Sequence, residues 1–434
     1  MIRFIHAADI HLDSPMRGID SERARIDPGA YRVSTRKALE NLVNVSVREN
    51  VDFLTLGGDN YDGDWDNFET GLYFQEQMAR LGEIPVVSIS GNHDAANKMT
   101  LRLHMPANFK SLSDERPVEY EVIPGVRVVG QGFRDPKESR NLAELYPRLD
   151  GGGVKIGLLH TSLDGREGHA RYAPCSVDDL KRRHYHFWGL GHIHKHSWEQ
   201  RSGDPPILFP GNLQGRHARE TGAKGAWLIT LDDDGGFRNK EFLELDVTRW
   251  MTLEISISGK DHPDEFFKAC ELEFNRRNLE VSNKIMAVRV RVTGESVLHH
   301  HLLSLQEMRE DALLANMQSA ATNAVAQRIW VEKVELASCL PQSEQRYKPV
   351  AFTFLQQFID DSVLDESWIE KYLKSPEIDK LKKQVGYFSE MDVVRELEMS
   401  FDPLAVRELI GEIPEILEMK LGRNQAEEIR DEEK

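Results

Sequence analysis

Five short polar motifs follow one another within the first 194 residues, and their side chains are of the kinds that hold divalent cations. They are Asp9-Ile10-His11, Gly58-Asp59-Asn60-Tyr61-Asp62, Gly91-Asn92-His93-Asp94, His160 after Ile156-Gly157-Leu158-Leu159, and Gly191-His192-Ile193-His194. Carboxylate oxygens and imidazole nitrogens without thiolates favour manganese, iron or zinc, whereas calcium wants more oxygens. An Asn ligand adds a neutral oxygen and no charge to repel a phosphate. Two such ions roughly 3.5–4 Å apart clamp the attacking and leaving oxygens of an in-line displacement, so the chemistry indicated is hydrolysis. Each motif alone also has a bland reading. AspXxxHis is common, a GlyAsp after a strand is usually a turn, and a lone His after an apolar run is usually a core residue. GlyAsnHisAsp is more specific, and the five in order outweigh those readings together.

Something must carry these motifs to one place. Short apolar runs at 3–7, 52–56, 85–90, 126–130, 155–159, 186–190 and 207–209 read as strands, and 225–231 as another. Helical stretches at 31–50 and 65–81 fall between some of them, which is the pattern of an α/β sandwich. Loops leaving the carboxyl ends of strands in such sheets converge on one crevice. AspXxxHis and HisXxxHis are expected to present both side chains from extended segments, where i and i+2 point the same way.

The texture changes from Asp246. Strand-like alternation at 250–257, 285–292 and 328–336, with helices at 263–277 and 304–327, reads as a small β-α-β-α-β unit. Amphipathic helix follows over 350–421, ending in a charged tail at 423–434. The expected domains are thus 1–245, 246–340 and 341–434. A chain of 434 residues exceeds what one core usually supports. Three cysteines, Cys175, Cys270 and Cys339, read as buried thiols of a reducing cytoplasm. The start is too polar for a secretory leader, and no run reaches the roughly 18 apolar residues of a membrane span. A cytoplasmic protein is expected, with no membrane partner. The net charge of −17 argues against nucleic acid at first sight, but it is uneven. Residues 1–250 hold 32 Lys+Arg against 37 Asp+Glu, and the rest hold 23 against 35. The acidity lies toward the C-terminus, which weakens a DNA reading without excluding it.

The five motifs resemble those of the calcineurin-like metallophosphoesterases, over about the first 230 residues. Within that superfamily the chain is similar to the SbcD-type DNA-repair exonucleases, especially the YhaO-like branch. The segments that carry this are His-Ala-Ala-Asp-Ile-His-Leu-Asp-Ser-Pro (6–15), Tyr-Asp-Gly-Asp-Trp (61–65) and Pro-Gly-Asn-Leu-Gln-Gly-Arg-His-Ala-Arg-Glu-Thr-Gly (210–222). The resemblance implies a four-layer α/β sandwich, a small α/β capping domain and a helical C-terminal region for partner docking. It implies that Asp9, His11 and His194 hold one metal, that Asp59 bridges two, and that Asn92, His160 and His192 complete the second. His93 would then contact the phosphate and assist the leaving oxygen, with Asp62 orienting it. The implied cofactor is two divalent ions, Mn2+ first among them. The implied activity is DNA exonuclease, in repair or end processing. The implied partners are DNA, an SbcC-like coiled-coil ATPase and a second copy of the chain. Asn60 departs from the family, where an apolar residue is more usual. Two other readings compete: a phosphodiesterase or phosphatase of nucleotides or small phosphoesters, and a mainly scaffolding subunit.

Other features weigh less. His299-His300-His301 reads as a solvated helix surface, because consecutive helical residues point to different faces. Lys181-Arg182-Arg183-His184 fits a DNA contact or a charged helix end equally. Arg216, His217 and Arg219 are better candidates for phosphate contact, because they follow the strand-like 207–209 soon after the last metal motif, with a structural role equally open. No Walker loop occurs, so any ATP-driven step must come from a partner.

Overall fold

The computed structural model describes residues 1–14, 29–62, 68–96, 104–148, 151–163, 172–200, 203–281, 284–307, 312–325 and 328–341. The helices and tail expected beyond Pro341 lie outside the described residues. The chain divides into two compact units. The first holds Met1–Ile257, His262–Gly294 and Leu305–Ala337; the second holds Ser258–Asp261, Glu295–Ser304 and Ser338–Lys434.

Two six-stranded sheets dominate the first unit. One has the strands β1 (Ile2–Ala7), β2 (Phe53–Leu56), β3 (Val86–Ser88), β4 (Phe109–Ser111), β11 (Gly225–Leu231) and β12 (Phe237–Glu244), in the order β12-β11-β1-β2-β3-β4. The other has β5 (Val118–Ile123), β6 (Val126–Gln131), β7 (Val154–His160), β8 (Phe187–Gly191), β9 (Ser197–Glu199) and β10 (Ile207–Phe209), in the order β5-β6-β7-β8-β10-β9. β1, β2, β3 and β4 pair in parallel, with α1 (Gly29–Arg48) and α2 (Phe68–Ala79) as crossovers between the first three. Parallel strands covered on both faces read as continuous apolar runs, and β2, β7 and β8 are buried along their whole length.

Side-chain alternation sorts these runs into layers. Phe4, Phe53, Ile156, Leu158 and Phe187 meet between the sheets, where Phe4 stacks on Phe53 with ring centroids 4.9 Å apart. Ile5, Ala7, Leu54 and Leu56 point the other way, toward Ala38, Leu39 and Leu42 of α1 and Phe74 and Met78 of α2. On the far side, Leu159, Trp188 and Leu190 pack with Leu142, Tyr146 and Leu180. Helix, sheet, sheet and outer layer make the four-layer sandwich.

Every strand expected in these two sheets is present, within two residues of its limits. Four others, β4, β5, β9 and β12, are not legible as apolar runs. All four are sheet edges, and β12 alternates poorly, being half exposed and charged (Phe-Arg-Asn-Lys-Glu-Phe-Leu-Glu). They are strands because a neighbour offers its hydrogen-bonding edge, as β11 does to β12 from Gly225 to Leu231.

Beyond Leu245 a third sheet has the order β13 (Thr248–Ser256), β14 (Ile285–Glu295), β15 (Ile329–Cys339). β13 and β14 run parallel, joined by α5 (Pro263–Glu280). Of the helix expected over 304–327, the described residues hold α6 (Leu298–Glu307) and α7 (Ala312–Ala324), and 308–311 lie outside the described residues. The histidine run differs from expectation. His300 and His301 are exposed, but His299 is buried, with Nδ1 3.0 Å from Ser338 Oγ. Among the described residues no helix is long and apolar enough to cross a membrane.

Candidate metal centre

All five motifs sit at the carboxyl ends of parallel strands. Asp9 and His11 follow β1, Asp59 and Asp62 follow β2, and Asn92 opens α3 (Asn92–Ala96) after β3. His160 is the last residue of β7, while His192 and His194 follow β8. The side chains are not presented from extended segments, however. Asp9 (φ 51°), His11 (φ 45°), Asp59 (φ 53°) and His192 (φ 97°) all occupy the left-handed region. A non-glycine residue there costs of order 1–3 kcal/mol and persists only where its surroundings hold it. Here the loops hold one another. Asp9 N donates to Gly58 O at 2.9 Å and His11 N to Asp59 O at 3.0 Å. His192 N donates to both carboxylate oxygens of Asp9, and His93 N to Asp59 Oδ1 at 2.9 Å. Gly91 allows the closest approach, since a Cβ there would stand 2.2 Å from Asp59 Oδ1.

The result is an enclosed array of acceptor atoms. His160 Nδ1 is 2.9 Å from Gly57 O, which can only accept, so that nitrogen carries a hydrogen. Its Nε2 then faces Asn92 Oδ1 at 3.1 Å and Asp59 Oδ2 at 3.4 Å. Likewise His194 Nδ1 is 2.6 Å from Glu220 Oε1, and its Nε2 faces His11 Nε2 at 3.2 Å and Asp9 Oδ1 at 3.9 Å. Ligand atoms lie within 4.8 Å of one another in three overlapping groups: Asp9, His11 and His194; His11, Asp59 and His93; Asp59, His160 and His192. Asp9, His11, Asp59 and His160 are all at most 1% exposed. Buried lone pairs turned toward each other demand positive charge, and a nitrogen–oxygen donor set fits a divalent transition metal.

The proton affinities say the same. Burial disfavours a charged His160, but Asp59 and then Asp9 outweigh it and push the imidazole up to about 9. Burial lifts the Asp9 carboxyl to about 6, against the pull of His160. Burial also works to raise Asp59, yet His160 and His11 hold it far below the usual carboxylate range. A proton or a cation answers this demand, and binding the cation releases the proton.

His93 stands at the edge, with its side chain 38% exposed and Nδ1 2.9 Å from Asp62 Oδ1. Burial opposes its charge, but the Asp62 hydrogen bond and Asp59 raise its pKa overall. Asp62 is also 3.5 Å from His11 Nδ1 and 3.7 Å from an Arg216 guanidinium nitrogen. Of the three expected phosphate-contact residues, Arg216 comes to the centre, 14% exposed and 3.4 Å from His194 Nδ1 through Nη2. His217 lies beside it, with Nε2 3.5 Å from Glu220. Arg219 is exposed, and its backbone N donates to His217 Nδ1. The 181–184 run closes the short helix α4 (Val177–Lys181), where Lys181 pairs with Asp204 at 2.8 Å and Arg182 with Asp179 at 3.3 Å. Lys224 donates to His194 O at 2.9 Å, a structural bond.

Two residues of the site escaped the sequence reading. Asp94, 7% exposed, accepts from the backbone nitrogens of Asn60, Tyr61 and Gly91, tying two motif loops together. It lies inside the most specific of the motifs, Gly-Asn-His-Asp, where a cap from its carboxylate back to Gly91 could have been expected. Glu220 had no such signal, because nothing in its spacing relates it to His194.

Comparison with known proteins followed the same division. The sequence model described as calcineurin-like phosphoesterase matches residues 2–224, and that described as metallophosphoesterase YhaO, middle domain, matches 250–338. The uncharacterized metallophosphoesterase YhaO of Bacillus subtilis is 31% identical over 323 residues, covering 73% of this chain and 77% of that protein. The DNA double-strand break repair protein Mre11 of Methanopyrus kandleri is 22% identical over 298 residues, covering 61% of each. The SbcD component of the nuclease SbcCD from Staphylococcus epidermidis is 20% identical over 347 residues, covering 72% of this chain and 84% of that one.

Proposed function

The chain belongs to the calcineurin-like phosphoesterases, and we propose that within this metal-dependent hydrolase family it is a DNA nuclease, acting as an exonuclease. The observation that supports the hydrolytic centre best is the buried set of carboxylate and imidazole atoms that converge on Asp59, close enough together to share a cation. Support for DNA is the likeness to Mre11 and to the SbcD component of SbcCD, each spanning more residues than the phosphoesterase match itself.

Asp9, His11, His194 and Asp59 would hold one cation, and Asp59, Asn92, His160 and His192 a second, with manganese the proposed ion. Cations held there would supply electrophilic charge and lower the pKa of a nearby water toward neutrality. The chain's own residues do the rest. Asp62 keeps the His93 ring oriented through Nδ1, so that Nε2 can give a proton to the oxygen that leaves as the P–O bond breaks. Arg216, braced by Glu220 and Asp62, contributes a fixed positive charge for the phosphate. Residues 246–340 are proposed as the capping domain and 341–434 as the docking region for an SbcC-like ATPase. A homodimer is also proposed, which would cover apolar side chains exposed on α1 (Val33) and α2 (Phe68, Leu72).

One observation favours a second reading. The net charge of −17 suits a nucleotide or small phosphoester better than a DNA strand. Manganese-supported turnover of linear duplex DNA, measured beside bis-p-nitrophenyl phosphate, separates the two. DNA cleavage lost in His93→Ala supports the nuclease; small esters turned over with DNA left intact support the second reading.

A further inference from the structure

Glu220 is a carboxylate at the centre that lies outside all five motifs. It is 6% exposed, and both of its oxygens are engaged. Oε1 lies 2.6 Å from His194 Nδ1, 3.4 Å from Arg216 Nη2 and 3.5 Å from His217 Nε2. Oε2 accepts from the Arg216 backbone N at 2.7 Å and from Asn212 Nδ2 at 2.8 Å. An ionised carboxylate accepts and cannot donate, so the His194 nitrogen opposite it bears the hydrogen. The other nitrogen, Nε2, is thereby left with its lone pair toward His11 and Asp9.

The same carboxylate reaches the proton-transfer side. It holds Arg216 by backbone and guanidinium together; Arg216 approaches Asp62 Oδ2 at 3.7 Å, and Asp62 in turn orients His93. A clamp for the 210–222 loop alone would need no contact with a ring nitrogen of the centre. We propose that Glu220 is a positioning residue of the metal centre, fixing the tautomer and orientation of His194 and the placement of Arg216. The proposal rests on the metal-dependent reading above. Carboxylates that fix a ligand imidazole in this way typically govern metal affinity by about 10–100-fold.

The test is manganese binding to the full chain by titration calorimetry, for the parent, Glu220→Gln, Glu220→Asp and His194→Gln. Thermal unfolding of each metal-free chain is followed in parallel. Glu220→Gln should weaken one of two sites by about 10–100-fold, approaching His194→Gln, with the other site kept. Glu220→Asp should recover part of the loss, because it restores the charge opposite Nδ1. Parental affinity in Glu220→Gln beside weakened binding in His194→Gln overturns the positioning role and leaves the metal reading standing. Equal weakening of both sites with an early-melting metal-free chain makes Glu220 a loop support and also overturns it. Undiminished binding in His194→Gln removes the metal reading, and the role of Glu220 falls with it.

Discussion

Two charge clusters built around buried carboxylates occur in the same compact unit, and they are balanced differently. Asp246, 2% exposed, accepts from Arg249 Nε at 2.6 Å and from Lys284 Nζ at 3.0 Å, while Glu244 meets Arg249 Nη2 at 2.7 Å. Two carboxylates answer two cations. At the centre Asp9, Asp59, Asp62 and Glu220 meet Arg216 and a group of imidazoles whose nitrogens face the same acceptors. Burying a charge unpaired is expensive, so a cluster closed by Arg and Lys is support, and one whose carboxylates lean on titratable imidazoles can exchange those protons for a cation.

Substitutions should break this contrast in opposite ways. Asp59→Asn removes the carboxylate common to two ligand groups. Metal-assisted stabilisation is worth several kcal/mol, so phosphoester turnover should fall by at least about 10³-fold while the chain stays folded. His93→Ala should lower kcat by about 10²–10⁴-fold and leave manganese binding near parental, measured by steady-state kinetics and calorimetry together. Asp246→Asn should do the reverse. Breaking a buried pair costs about 3–5 kcal/mol, toward the lower end here because Arg249 keeps Glu244. Urea unfolding reads that loss, with kcat per folded chain unchanged.

Smaller effects sharpen the same contrast. Manganese at about 100 times the Kd of each site should stabilise the parent by about 2.7 kcal/mol per occupied site over the chelated protein, and Asp246→Asn by the same increment. Asp59→Asn should lose most of it. Affinity should also depend on pH in a fixed direction. A cation competes with the protons that His160 holds up to about 9 and Asp9 up to about 6. Raising the pH from 6 to 9 therefore strengthens binding, by up to about tenfold per unit for each proton released. Calorimetry in buffers of differing ionisation enthalpy counts those protons, and an affinity that fell over this range would contradict the assignment.

The sequence disclosed more of the centre's members than of its mechanics. β7 and β8 are legible because both faces are covered, so burial writes itself into every residue. β12 is not, since its strand character comes from its partner β11 rather than from its own side chains. The donor chemistry of Asp9, His11, His192 and His194 is plain in the sequence, but the left-handed backbone of Asp9, His11 and His192 is not, because it is held by hydrogen bonds between loops far apart in sequence. Arg216 showed itself through its nearness to a motif. Glu220 did not, for its meaning depends on a contact 26 residues away with His194. His299 marks the same limit, buried where its neighbours His300 and His301 are exposed, with a partner 39 residues on.

Two divalent cations are proposed to bind the buried donor cluster around Asp59. Equilibrium dialysis of the full chain against manganese, followed by elemental analysis of parent and Asp59→Asn, tests that proposal most directly. Two manganese ions per parent chain, and fewer than one in Asp59→Asn, are predicted. Equal uptake by the two chains, or none by the parent, would contradict it.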